Sequence, residues 1–176
     1  SAGRFLFFDQ RALVSGGGTI GSNRLLRATL GAPGAPPALE TLATEADLAA
    51  ADPRWARGEN WPALAGLAAL GDGSAVLLGS TPAAEEEQRL LRVAPGNPPA
   101  VTALSTFRWG DLPGNASGAP VEALAVDSSG APEWIVLAAG PRIYRLAANT
   151  PGALPSLWAT APFPGARILD LETAPA

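Results

Sequence analysis

The apolar positions of this chain fall in short runs, cut apart by Gly, Pro, Asp, Asn and Ser. Val121–Val126, Trp134–Ala139 and Arg142–Leu146 are three such runs, separated by Asp127-Ser-Ser-Gly130 and Gly140-Pro141. Gly tolerates positive φ and Pro presets φ for a turn, so this spacing predicts three short strands joined by turns. The same order recurs upstream. Ala65-Gly-Leu-Ala68 falls on Glu122-Ala-Leu-Ala125, and Gly71-Asp-Gly73 falls on the Asp127–Gly130 turn. Val76-Leu-Leu78 falls on Ile135-Val-Leu137, and Arg89-Leu-Leu-Arg-Val93 on Arg142-Ile-Tyr-Arg-Leu146. A Pro/Gly turn follows each, and then a fourth strand, Val101–Phe107 and Ser156–Ala161. The N-terminal stretch carries the template without its first strand: Phe5–Phe8, Arg24–Ala28 with the same Arg-x-x-Arg spacing, and Leu39–Leu42. At the far end, Ala166–Glu172 reads as a first strand that lacks a unit.

Repeated four-stranded antiparallel units predict an all-β, β-propeller-like fold. The chain reads as one domain of three blades, 4–43 plus 166–172, 63–107 and 121–161, with the C-terminal strand completing the first blade. An irregular β-sandwich also satisfies short strands with regular turns. Closed propellers have about 4–8 blades. Three blades therefore predict self-association, as a homodimer closing a six-bladed ring, or a longer parent chain. One segment reads as helix: Thr44–Ala51 has a capping Thr, an acidic residue at the third position after it, and an Ala/Leu run.

Composition narrows the chemistry. The 176 residues are enough to bury a sizeable core, with 47% hydrophobic and 16% charged residues. A net charge of −4 argues against a general nucleic-acid or anionic-membrane surface. No apolar run approaches bilayer length, and no signal peptide is read at the N-terminus. The chain starts at Ser1, which predicts processing or trimming. Cys and His are absent and all twelve basic residues are Arg. Thiolate chemistry, imidazole bases, Schiff bases and Walker-type phosphate binding are therefore excluded. Missing Lys fits a GC-rich coding bias. Missing His does not follow from it, so the composition reads either as that of a GC-rich bacterial genome or as that of a computed sequence.

In a propeller the second-to-third-strand loops and the fourth-to-first crossovers share one face, and here they hold most of the long polar connections. Long loops in compact domains carry function more often than short ones. Two of these connections pair Arg with Trp: Arg54, Trp55, Arg57, Asn60 and Trp61 in one, Arg108, Trp109 and Asp111 in the other. Such a set could recognise a ligand or protein partner through cation–π and hydrogen-bond contacts. The competing reading has the Trp side chains capping the sheet ends while the Arg side chains pair with Glu59 or Asp111. Glu122 and Asp170, with Glu172 nearby, fall on first strands that would line a central channel, where carboxylates could hold Ca²⁺. Against that, Ala65 stands at the position matching Glu122, and either acid could be a solvated channel residue or pair with Arg167. Glu85–Glu87 reads as a solvated hairpin tip. Gly16–Gly21 reads as a loop, because no helix or Lys follows to make a phosphate cradle.

Asn60-Trp-Pro-Ala-Leu-Ala-Gly-Leu-Ala68, Gly71-Asp-Gly-Ser-Ala-Val-Leu-Leu78 and Gln88-Arg-Leu-Leu-Arg92 resemble bacterial six-bladed propellers of the phytase-like or esterase-like type. Blades of that family carry a Glu-Gly-Leu-Ala strand, for which Glu122-Ala-Leu-Ala125 is the nearest match. The resemblance spans about two blades and implies a periplasmic or secreted protein with calcium-assisted phosphoester or ester hydrolysis. The absent His and the Ala at position 65 depart from the family's pattern. The sequence thus leads first to a non-catalytic binding or self-assembly module without cofactor, natural or designed. A calcium-dependent hydrolase is the alternative.

Overall fold

The computed structural model describes residues 4–9, 12–13, 19–20, 23–55, 63–80, 87–162, 168 and 171. Among the described residues the fold is all-β with one short α-helix. Unit one is a three-stranded antiparallel sheet, in which β1 (Arg4–Asp9), β4 (Arg24–Thr29) and β5 (Ala38–Ala43) lie in that order. A two-residue ladder, β2 (Ala12–Leu13) with β3 (Thr19–Ile20), lies between β1 and β4 in the chain. Unit two is a four-stranded meander of β6 (Ala63–Ala69), β7 (Ala75–Ser80), β8 (Glu87–Ala94) and β9 (Ala100–Arg108). Unit three repeats it with β10 (Val121–Asp127), β11 (Trp134–Ala139), β12 (Arg142–Ala147) and β13 (Ser156–Thr160). Among the described residues no sheet closes into a barrel. The closing strand expected at 166–172 lies outside the described residues except for Ile168 and Leu171. The Ile168 N–H donates to the Gly140 carbonyl at 3.0 Å, at the β11–β12 turn of unit three.

The predicted helix forms as α1 (Glu45–Ala51). Thr44 caps it: its hydroxyl accepts from the Asp47 N–H at 3.3 Å, and the Asp47 carboxylate accepts from the Thr44 N–H at 2.8 Å. A helix this short is marginal alone. Leu48 anchors it by burying completely in the core between units one and two.

Irregularities repeat along with the strands. Between third and fourth strands the register shifts at Leu25/Leu26, at Leu90/Leu91 and at Ile143/Tyr144. These are the same positions of the Arg-x-x-Arg motif in all three units. Between first and second strands the ladder breaks around Ala65 and around Glu122, which makes those two residues equivalent bulges. The bulges correct one part of the sequence alignment. Counting from them, Ala75 and Leu77 occupy the places of Ile135 and Leu137, where the apolar runs had matched Val76 to Ile135. The first hairpin of unit three is longer by one residue more than the match of apolar runs allows. A one-residue slip moves every side chain to the other face, so the correction decides which residues meet which unit.

With the register set, the cores sort cleanly. Ala75 and Leu77 join Leu25, Leu42, Leu48, Trp55, Leu91 and Val93 in a core between units one and two. Val76 and Leu78 point the other way, into a core with Leu90, Leu104, Ile135, Leu137, Tyr144 and Leu146 between units two and three. Unit two is buried on both faces, so β7 reads as an unbroken apolar run instead of alternating. Where β6 meets β10 the strands approach so closely that a Cβ on Gly66 would lie 2.8 Å from the Leu124 Cβ. Only glycine fits that crossing without displacing a neighbour. Units two and three are also tied by polar contacts. The Glu133 carboxylate accepts from the Gly71 N–H at 2.7 Å, and the Leu104 carbonyl, released from its ladder by the bulge, accepts from the Gly152 N–H at 2.6 Å.

Candidate functional site

The structure assigns several Arg-Trp residues to internal work. Trp55 is fully buried between units one and two, with its ring edge-on to Phe8 at 5.6 Å. Its expected place on a ligand surface is therefore corrected: a large apolar ring near a sheet end contributes more by filling the core than by facing water. Arg54 pairs with Glu87. Glu87 is also bound by Arg89 at 2.8 Å, and Arg89 reaches the buried Asp52 at 2.6 Å. This chain of four charges pins the connection after unit one onto β8. It also corrects the expectation that 85–87 is a solvated tip, at least for Glu87. Burial would raise the Glu87 pKa, but the hydrogen bonds and charges of Arg54 and Arg89 outweigh it and hold the carboxyl below its usual 4.5.

Trp109 lies partly buried against the core between units two and three. Asp111 caps the one-turn helix Trp109–Asp111, its carboxylate accepting from the Arg108 N–H at 3.0 Å. The organiser of this connection is Asn115, which is fully buried. Its amide donates to the Trp109 and Ala119 carbonyls at 2.8 and 2.9 Å, and its oxygen accepts from the Ala119 N–H at 3.1 Å. Glu87 pairs across the ladder with Arg108, so the structure brings Arg54 and Arg108 to the same end of unit two. Arg57, Asn60 and Trp61 lie outside the described residues, as does Asp170. Glu122 sits in the β10 bulge, half-buried. Among the described residues no three acidic side chains converge on a common point.

The sequence reading missed a different set, on the outer face of unit three. Trp134, Arg145 and Trp158 stand on the side of the sheet that faces away from unit two. The Arg145 guanidinium lies 4.4 Å from the Trp134 ring centre and 5.8 Å from that of Trp158, a cation stacked beside two indoles. Their meaning comes from the repeat. The bulge residue skipped by the third strand is Leu42 in unit one, Leu104 in unit two and Trp158 in unit three. Leu42 and Leu104 are 4% and 1% exposed, each packed against the following unit, whereas Trp158 is 54% exposed. The opposite end of the molecule mirrors this. Phe5 and Phe7 occupy the places of Ala75 and Leu77 and of Ile135 and Leu137, all fully buried against the preceding unit. Phe5 and Phe7 are 53% and 39% exposed. The signal was present in the sequence as a Trp and two Phe at core positions of the template, but only the corrected register identifies those positions as core.

The first Arg of the motif differs between units one and two in the same way. Arg89 reaches back to the connection from the preceding unit, while Arg24, its counterpart in unit one, pairs within its own unit with Asp9 at 2.8 Å and stays exposed. Comparison of the chain with protein-family models, with curated proteins and with solved structures finds no match.

Proposed function

We propose that this chain is a non-catalytic assembly module of propeller-like design, whose two end faces join further units of the same kind. One observation carries the reading. At positions that are buried wherever one unit follows another, both end units keep large apolar side chains, Phe5 and Phe7 at one end and Trp158 at the other, and leave them in water. Apolar area costs about 25 cal/mol per Å² to leave exposed, and contiguous exposed patches mark interaction surfaces. A surface kept only for solubility would carry charge there. Self-association, toward a ring of six units, is the form of assembly that needs no other component.

The test is the solution mass over a range of concentrations, by light scattering or sedimentation. The expected result is a mass above one chain that rises with concentration to a plateau. A mass of 17.8 kDa, one chain, at every concentration overturns the reading.

A further inference from the structure

Resting on the assembly reading, we propose a specific junction: the outer face of unit three, carrying Trp158 and Arg145, seats on the outer face of unit one of a second copy, against Phe5 and Phe7. The occupant follows from continuity with contacts already made inside the chain. The face of unit one that bears Leu42 meets the face of unit two that bears Ala75 and Leu77. The face of unit two that bears Leu104 meets the face of unit three that bears Ile135 and Leu137. Each junction is head-to-tail: the bulge residue of one unit shares a core with the second-strand residues of the next. Among the described residues, Trp158 is the bulge residue that no following unit covers, and Phe5 and Phe7 are the second-strand residues that no preceding unit covers.

Sizes agree with this pairing. Within the chain a Leu bulge residue shares its core with Ala75 and Leu77 or with Ile135 and Leu137. At the free ends an indole meets two phenyl rings, which favours offset or edge-on aromatic contact. Arg145, stacked on Trp134 and Trp158, adds a cation that can lie over an incoming Phe ring. The surfaces differ, so the contact is heterologous, and such contacts either close a ring or grow a filament. Two copies of three units make six, inside the range of about 4–8 units over which radial sheets close. Each dimer then contains the junction twice.

The experiment uses the full chain and two variants, W158E and F7E, at side chains exposed enough to change without emptying a core. Far-UV circular dichroism and thermal melting confirm that each variant is folded. Sedimentation then reads the assembly. The wild type is expected as a dimer. Each variant alone is expected as a monomer, with dimer affinity reduced at least 100-fold, because both junctions carry the charge. Mixed in equal amounts, the variants are expected to pair again, since intact Trp158 of one faces intact Phe7 of the other. The mixed pair should be weaker than the wild-type dimer, with one junction closed instead of two. A wild-type dimer whose mass survives W158E, or variants that stay monomeric when mixed at high concentration, overturn the head-to-tail junction and leave the assembly reading standing. A wild-type monomer overturns both.

Discussion

At the scale of single residues, Gly66 is the tightest constraint. Because a Cβ there would meet Leu124 Cβ at 2.8 Å, Gly66→Ala is expected to cost about 1–3 kcal/mol of unfolding free energy through overpacking of the β6–β10 crossing. Gly110→Ala, where a Cβ meets nothing within 4 Å, is the matched control and should be close to neutral; urea melts of the two variants make the comparison. Leu104 offers the opposite case. Truncation to Ala opens the core between units two and three and is expected to cost about 2–5 kcal/mol. Glu87 supplies a pH dependence. Its pKa is lowered in the folded protein, so the stability it contributes is present above the usual carboxyl value of 4.5 and is lost as pH falls through the lower folded value. Thermal melts of wild type and Glu87→Gln between pH 7 and pH 3 should therefore converge at the acid end. A gap that stays constant with pH would mean that the Glu87 charge is not what holds Arg54 and Arg89.

At the scale of elements, connections and sheets hold each other in place. The segment carrying α1 is fixed at one end by the Thr44–Asp47 cap and at the other by the buried pair of Asp52 with Arg89. Removing one partner of a buried pair leaves an uncompensated charge, which costs about 3–5 kcal/mol, while replacing both by apolar groups can be neutral. Asp52→Leu and Arg89→Met are each expected to be strongly destabilising and the double variant much less so. A double-mutant cycle in urea measures the coupling, and simple additivity would show that the two groups act independently. The helix and nearly all strands of the described units were legible in the sequence, because turn residues and apolar runs are local signals. The register of β7 was not. Unit two is buried on both faces, so Ala75-Val-Leu-Leu78 shows no alternation by which to tell one face from the other.

At the scale of the molecule, the repeat is the organising fact. Among the described residues the three units, stacked through two cores, leave two outer faces, and both carry aromatic side chains at positions that are core elsewhere. Millimolar calcium is expected to leave the melting temperature unchanged, since a ligand that prefers the folded state would raise it. A clear rise would redirect attention to Glu122 and its neighbours. The candidate site was only partly legible. Arg-Trp pairs looked like recognition loops because Trp and Arg are common at interfaces, yet Trp55 fills a core and Arg54 balances Glu87. Trp158 and Phe7 passed as ordinary strand residues, since a sequence shows which positions are apolar but not which of them have a neighbour.

By itself the sequence determined the all-β class, the capped helix, the order of the described strands within each sheet and the absence of Cys, His and Lys chemistry. These follow from turn propensity, apolar runs and side-chain inventory, all of which act within a few residues. Tertiary structure decided which face of each sheet meets which unit, where Gly66 must remain glycine, and which charges are buried. Those outcomes depend on bulges and on contacts between residues far apart in the chain. A shift of one residue in a strand leaves its composition untouched and exchanges its two faces. That exchange is why Trp158, Phe5 and Phe7 could be recognised as the exposed counterparts of buried core only after the sheets were in place.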